Sequence, residues 1–244
     1  MEGTPAKFEF HDNGVGLITL NRPEKLNAFT REMISFVVEV LRGTQTRPDI
    51  KCIVLTGAGT SFSSGHDINA PQSDDEDGID DLFTSVLHCR VPVIVAARGW
   101  AVGGGAGLVL CSTIRLAGPS LKLMWPQIKG GYHGVTGPSL LAHEIPKNIA
   151  LELMLTGRPL GADEAARWGV VNRVVAEDDL LGESLELAGT IASMSPEGVR
   201  ALRNSVDAGV GKSYEERVDI ARESLRGLFK GGVLPSPQRH TRSS

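Results

Sequence analysis

Cysteine is scarce in this chain, and the three present, Cys52, Cys89 and Cys111, sit inside apolar segments without C-x-x-C spacing. That pattern argues against a disulfide framework or a zinc site, and for reduced, buried thiols in a cytoplasmic setting. Neither charge dominates: 25 Lys and Arg against 29 Asp and Glu leave a formal net charge of −4 over 244 residues. Electrostatics therefore gives no reason to expect nucleic acid or a membrane surface as partner. No signal-peptide pattern stands at the N-terminus. The dinucleotide fingerprint G-x-G-x-x-G and the Walker G-K-[ST] are both missing. The apolar stretch 91–110 is about long enough for a membrane span, but Arg98 and its glycines interrupt it. What remains is an ordinary globular composition, 41% hydrophobic and 22% charged. It suits one generous domain, or one domain with a helical appendage.

That same stretch, V-P-V-I-V-A-A-R-G-W-A-V-G-G-G-A-G-L-V-L, organises the rest. Residues 91–97 read as a strand buried on both faces, Arg98-Gly99-Trp100 as a turn, and 106–110 as a buried helix entered through Gly103-Gly104-Gly105. Successive glycines carry a large conformational-entropy cost. Backbone N–H groups left bare for an anion or a polarised carbonyl are one return for that cost. Tight helix packing that needs no side chain is the other.

Along the chain, 7–10 and 15–20 around Asp12-Asn13-Gly14 predict a β-hairpin. Thr30 caps a helix through Arg42, with Met33, Ile34, Val37, Val38 and Leu41 on one face. A strand at 52–55 leads into a loop at 57–64 and then Gly65-His66-Asp67. The run 73–81, S-D-D-E-D-G-I-D-D, is too acidic to pack and reads as a solvated loop that also suits a lid. Ile79, Leu82, Phe83, Val86 and Leu87 then suit an amphipathic helix. Strands at 114–117 and 121–124 and a loop at 126–138 follow, and then helices at 148–155, 162–168, 180–194, 196–208 and 214–228, with a short strand at 170–175. The unit strand, strand, helix recurs without sequence repetition, which predicts stacked layers rather than one twisted sheet. The composition of 231–244 predicts a disordered tail.

Four segments in order carry a family resemblance: N-R-P-E-K-L-N-A (21–28), S-F-S-S-G-H-D-I (61–68), G-W-A-V-G-G-G-A-G-L (99–108) and L-T-G-R-P-L-G-A-D-E-A-A-R-W-G-V-V-N-R-V-V (155–175). Together they resemble the enoyl-CoA hydratase/isomerase, or crotonase, superfamily over roughly residues 6–205. The resemblance implies an α/β fold, a crotonase-like spiral of repeated β-β-α turns over 1–190, with a helical C-terminal region at 191–230 that builds homotrimers or dimers of trimers. It also implies acyl-CoA thioester ligands, with coenzyme A arriving as part of the substrate, no tightly bound cofactor and no metal. Two backbone N–H groups polarise the thioester carbonyl in that family, and the matching positions are His66 and Gly104. Ser64, Gly65, Asp67, Ile68 and Gly103 flank them. The CoA nucleotide would lie against Arg22, Lys25 and Ala28, although ordinary surface charge also accounts for Arg22 and Lys25. Family members close with a helix over the CoA site, and Gly231-Gly232, Pro235 and Pro237 break it here.

Hydratases of the family use two glutamates. The matching positions here are Gly107 and Gln127, the latter after Trp125-Pro126. Glycine offers no side chain, and an amide is no general base. His133, with Tyr132 beside it, falls where decarboxylase-like members place a tyrosine. Decarboxylation needs no base, and imidazole can return the proton afterwards. His133, Tyr132 or the Gln127 amide would hold the departing carboxylate, unless His133 is merely structural. Asp67 most simply caps the following helix, and Trp125 suits the wall of an acyl pocket or the core rather than the chemistry. The expectation is a thioester-enolate enzyme, a lyase or hydrolase, performing decarboxylation or β-oxoacyl-CoA hydrolysis. The alternatives are a non-catalytic acyl-CoA-binding protein, or a weak hydratase whose water is held by His133 and Gln127.

Overall fold

The structure, a computed structural model, describes residues 4–67 and 78–230. Ile68, the acidic run as far as residue 77 and the tail from 231 lie outside the described residues. The chain divides into two compact units, Met1–Gly189 and Thr190–Ser244.

The first unit opens with β1 (Ala6–His11) and β2 (Val15–Leu20), the expected antiparallel hairpin, whose register closes at His11↔Val15. Helix α1 (Arg31–Gly43) starts where the Thr30 hydroxyl accepts the Met33 N–H at 3.2 Å, a cap worth about 1 kcal/mol. Its buried face is the stripe Met33, Ile34, Val37, Val38 and Leu41. Then follow β3 (Cys52–Gly57), α2 (Ile79–Leu87), β4 (Val93–Ala97), β5 (Trp100–Val102), α3 (Gly104–Cys111), β6 (Ile114–Ala117) and β7 (Lys122–Met124). A 3-10 turn at Pro126–Gly130 and a π-helical turn at Gly137–Leu141 lead to α4 (Ala142–Glu144) and α5 (Lys147–Thr156). The unit continues through β8 (Leu160–Gly161), α6 (Ala162–Arg167) and β9 (Arg173–Val174), and α7 (Leu180–Ala192) follows.

The described strands form two sheets, a six-stranded one ordered β1-β2-β3-β4-β6-β9 and a three-stranded one ordered β5-β7-β8. All pairings from β2 to β9 in the first sheet are parallel. Every residue of β4 is buried, which is why its sequence shows no alternation. Helix α3 is buried from Gly105 to Cys111, apolar on all sides, as a core helix must be. No described helix is long and apolar enough to cross a membrane.

Two expectations change. The segment at Trp100 is not a turn but the start of β5, held on one side by β7 and on the other by Ser63, whose N–H donates to the Trp100 carbonyl at 3.0 Å. The expected strand at 170–175 is only β9, two residues long. In the second unit, α8 (Pro196–Ala208) and α9 (Tyr214–Lys230) pack together, with the Ser224 hydroxyl donating to the Ala201 carbonyl at 3.2 Å. Leu202, Val206, Leu225 and Phe229 on these two helices stay exposed.

Candidate active site

Asn27 anchors the first loop of the site. Its backbone is left-handed, at φ 53°, a conformation asparagine tolerates better than most residues. Its buried amide accepts the Arg22 N–H at 2.9 Å and donates to the Ala58 and Ser61 carbonyls at 2.8 Å each. Ser63 continues the clamp: its hydroxyl donates to the Asn27 carbonyl at 2.8 Å and accepts the Gly65 N–H at 3.1 Å. Asn27 and Ser63 lie inside the motifs, but sequence reading gave them no role. Their signal was a polar side chain within an otherwise packed loop.

The next residues run parallel to Phe29. The Phe29 N–H donates to the Gly65 carbonyl at 2.7 Å, and the Asp67 N–H donates to the Phe29 carbonyl at 3.3 Å. In such a ladder the residue between the two bonds turns its own N–H to the other side. That residue is His66, bridged in parallel to Phe29. On the far side lies the glycine turn: a Cβ on Gly65, whose φ is +83°, would stand 2.5 Å from the Val102 carbonyl oxygen and 3.1 Å from the Gly104 nitrogen. The 65–66 loop and the start of α3 are thus pressed together.

The three glycines of the turn do different work. Gly103 takes φ 53°, ψ −108°, which only glycine adopts readily, and its N–H donates to the Met124 carbonyl at 2.8 Å. Gly105 packs: a Cβ there would lie 2.3 Å from the Ser63 carbonyl oxygen. Among the described residues, no backbone carbonyl takes the Gly104 N–H, and the first bond of the helix runs from Gly107 N–H to the Gly103 carbonyl at 2.9 Å. Packing and a bare N–H, which sequence left as alternatives, are divided between neighbouring glycines.

Gly107 has no space for a longer side chain. A Cβ there would meet both Oγ1 and Cγ2 of Thr136 at 2.7 Å and the Phe83 ring at 3.0 Å. Gln127 approaches the turn, its amide nitrogen 3.3 Å from a Cβ position on Gly103 and 2.7 Å from one on Gly134. On its other side opens a largely apolar pocket of about 270 Å³, lined by Trp125, Gln127, Tyr132, His133, Met154 and Leu155 among others. Tyr132 and His133 are exposed at its rim, with His133 Nδ1 3.2 Å from the Gly134 carbonyl oxygen.

The proposed nucleotide side is tied up internally. Arg22 Nη1 donates to the Ala28 carbonyl at 2.9 Å and to the Asp67 carboxylate at 3.2 Å, and Ala28 is itself buried. Lys25 is exposed, and Ser64 is half-buried with its N–H donating to the Leu26 carbonyl at 2.9 Å. The cap role expected of Asp67 falls on the segment after it, which lies outside the described residues. Among the described residues, the Asp67 carboxylate pairs with Arg22. Burial pushes the Cys52 and Cys111 thiols up to about 12, so neither is a nucleophile near neutrality. Among the described residues no cluster of three or more His, Cys, Asp or Glu could hold a metal ion.

Comparison with known proteins decides the family. The model of the enoyl-CoA hydratase/isomerase family matches residues 11–231. The chain belongs to that family. It is 37% identical over 230 residues to a Mycobacterium leprae protein named "Probable enoyl-CoA hydratase echA8", covering 92% of this chain and 88% of that one. It is 32% identical to the 1,2-epoxyphenylacetyl-CoA isomerase of Escherichia coli K12, over 88% and 87% of the two chains. Among solved structures it resembles an enoyl-CoA hydratase subunit from Geobacillus kaustophilus, with a TM-score of 0.85 at 30% identity, covering 93% of this chain and 90% of that one. The mixed α/β fold with its helical C-terminal region is the fold of this family.

Proposed function

We propose that this chain is an enzyme that holds the enolate of an acyl-CoA thioester between the His66 and Gly104 N–H groups and resolves it by decarboxylation or β-oxoacyl cleavage, not by hydration. The observation that carries this reading is at Gly107, where Thr136 and Phe83 fill the space a hydratase glutamate needs. With an amide at Gln127 and Asp67 paired to Arg22, none of the described residues lining the pocket is a carboxylate. Two preset donors suit the charge that develops on a thioester oxygen, and losing one such donor elsewhere costs about 2.7–4 kcal/mol.

In the decarboxylation, the bond from Cα to the carboxylate breaks and its electron pair forms the enolate. Carbon dioxide departs, and a proton from the His133 imidazolium restores Cα, with solvent recharging the ring. In the β-oxoacyl case, water adds to the 3-carbonyl as the His133 imidazole takes its proton. The C2–C3 bond then breaks to release the far end of the chain as a carboxylic acid, and the electron pair of that bond forms the same kind of enolate, which the imidazolium protonates. The Arg22, Lys25 and Ala28 segment serves the nucleotide end through backbone and the exposed Lys25 ammonium. The setting is cytoplasmic and the assembly a trimer or a pair of trimers, supported by the buried thiols and by the exposed apolar residues of α8 and α9.

Crotonyl-, methylmalonyl- and acetoacetyl-CoA, incubated with the protein and resolved by chromatography, test the reaction. Propanoyl-CoA from the second or acetyl-CoA from the third supports the proposal. Rapid 3-hydroxybutanoyl-CoA from the first, with the others untouched, overturns it.

A further inference from the structure

Three buried side-chain atoms among the described residues have no hydrogen-bond partner: His11 Nε2, Ser85 Oγ and Trp125 Nε1. Of these residues only Trp125 lines the pocket described above. Its side chain is deeply sunk, the residue being 3% exposed. An indole N–H is a donor only. Buried donors are nearly always satisfied, and Trp is placed where its N–H can meet an acceptor.

The direction of the indole is readable from Gly137, another lining residue. A Cβ on Gly137 would lie 3.4 Å from Trp125 Cδ1, the ring atom bonded to Nε1, and 2.8 Å from Met154 Sδ. The Cδ1 edge of the ring, next to the N–H, therefore faces Gly137, and the Met154 thioether stands beside the same position. A methionine side chain shifts easily between rotamers. The backbone alongside is the π-helical turn Gly137–Leu141, a distortion that recurs at functional sites. Ile128, Leu151 and Leu155 make the rest of this wall apolar, which strengthens any single hydrogen bond made inside it. Trp125 also follows Met124, whose carbonyl holds the Gly103 N–H at 2.8 Å, so the segment that carries the indole is bonded directly to the glycine turn that precedes Gly104.

We infer that Trp125 determines specificity: its Nε1–H donates to a second oxygen of the acyl group, one bond series beyond the thioester carbonyl, and so selects acyl-CoA thioesters that carry one. The acceptor is the ketone of a 3-oxoacyl chain or the carboxylate of a malonyl-type chain. This inference rests on the acyl-CoA reading above. A plain chain leaves the donor unmet, and sites built around such a donor reject the ligand that lacks its acceptor.

The test uses the ¹⁵N-labelled full chain and three ligands: acetoacetyl-CoA with a ketone, methylmalonyl-CoA with a carboxylate and butanoyl-CoA with neither. The chain has three tryptophans. Trp125→Phe keeps an aromatic ring in the wall at a smaller volume, removes the N–H and assigns its indole resonance. Trp100→Phe and Trp168→Phe assign it by elimination if that variant does not fold. The expected result is a downfield move of the Trp125 indole proton with acetoacetyl- or methylmalonyl-CoA, whichever carries the true acceptor, and none with butanoyl-CoA. In Trp125→Phe the preference for that ligand over butanoyl-CoA falls roughly 10- to 100-fold. Binding of all three with no indole response, or an equal loss for all three in the variant, overturns this inference and leaves the acyl-CoA reading standing. If none of the thioesters binds, the acyl-CoA reading fails and takes this one with it.

Discussion

At the scale of single residues, the proposed chemistry turns on positions where a side chain is absent or small. Gly107→Glu, which introduces the residue type that the resemblance expects of a hydratase at this position, is expected to destabilise the protein by about 1–3 kcal/mol through overpacking against Thr136 and Phe83, and to confer no hydration. Chemical denaturation checks the first outcome, and the added Thr136→Ala change should recover part of the loss. His133→Ala should lower turnover roughly 10²- to 10⁴-fold while leaving acyl-CoA affinity within a few-fold, because the ring stands at the pocket rim and supports no packing. A turnover equal to wild type would remove His133 from the mechanism. The residue types at Gly107, Gln127 and His133 were legible in sequence. The clamp by Asn27 and Ser63 was not, because its partners are backbone carbonyls at Ala58, Ser61 and Asn27 itself, which no residue pattern advertises.

At the scale of elements, the hairpin, α1 and the buried strands β3 and β4 were readable because local signals agreed: turn residues, a capped apolar stripe and β-branched runs. β5 was missed because its three residues owe their extended form to partners distant in sequence, Ser63 and β7. The segment behind the pocket is pinned by Arg158, which donates to Glu152 at 2.7 Å on α5 and to Glu164 at 2.8 and 2.9 Å on α6. The Arg158 guanidinium hydrogen bond holds the Glu164 carboxyl below the usual carboxylate range. Such a group stabilises the fold above its unfolded pKa, and the contribution is lost as pH falls through the lowered folded value. Arg158→Met should therefore cost about 1 kcal/mol at neutral pH, seen as a Tm lower by a few degrees. The gap between variant and wild type should close as the pH is taken below about 4. A gap that persists or widens in acid would assign the effect to packing instead.

At the scale of the whole molecule, the second unit exposes apolar side chains at helical spacing, Leu202 and Val206 on α8 and Leu225 and Phe229 on α9. An assembly of three or six chains is expected in sedimentation, and Leu202→Glu combined with Phe229→Glu should shift it to single chains without unfolding the first unit. A wild-type mass of one chain would contradict the proposed assembly. Family and fold were legible in four ordered motifs, whereas the proposed assembly and acyl preference rest on surfaces and one buried donor that no motif contains. The proposed chemistry comes down to two amides, one on the 65–66 loop and one at the head of α3, polarising a thioester. The most direct measurement is the infrared carbonyl stretch of ¹³C-thioester butanoyl-CoA bound to the protein. A stretch shifted to lower frequency than in water, and restored when the amide at Gly104 is obstructed by Gly104→Val, is the predicted result. An unshifted carbonyl at saturating protein would contradict it.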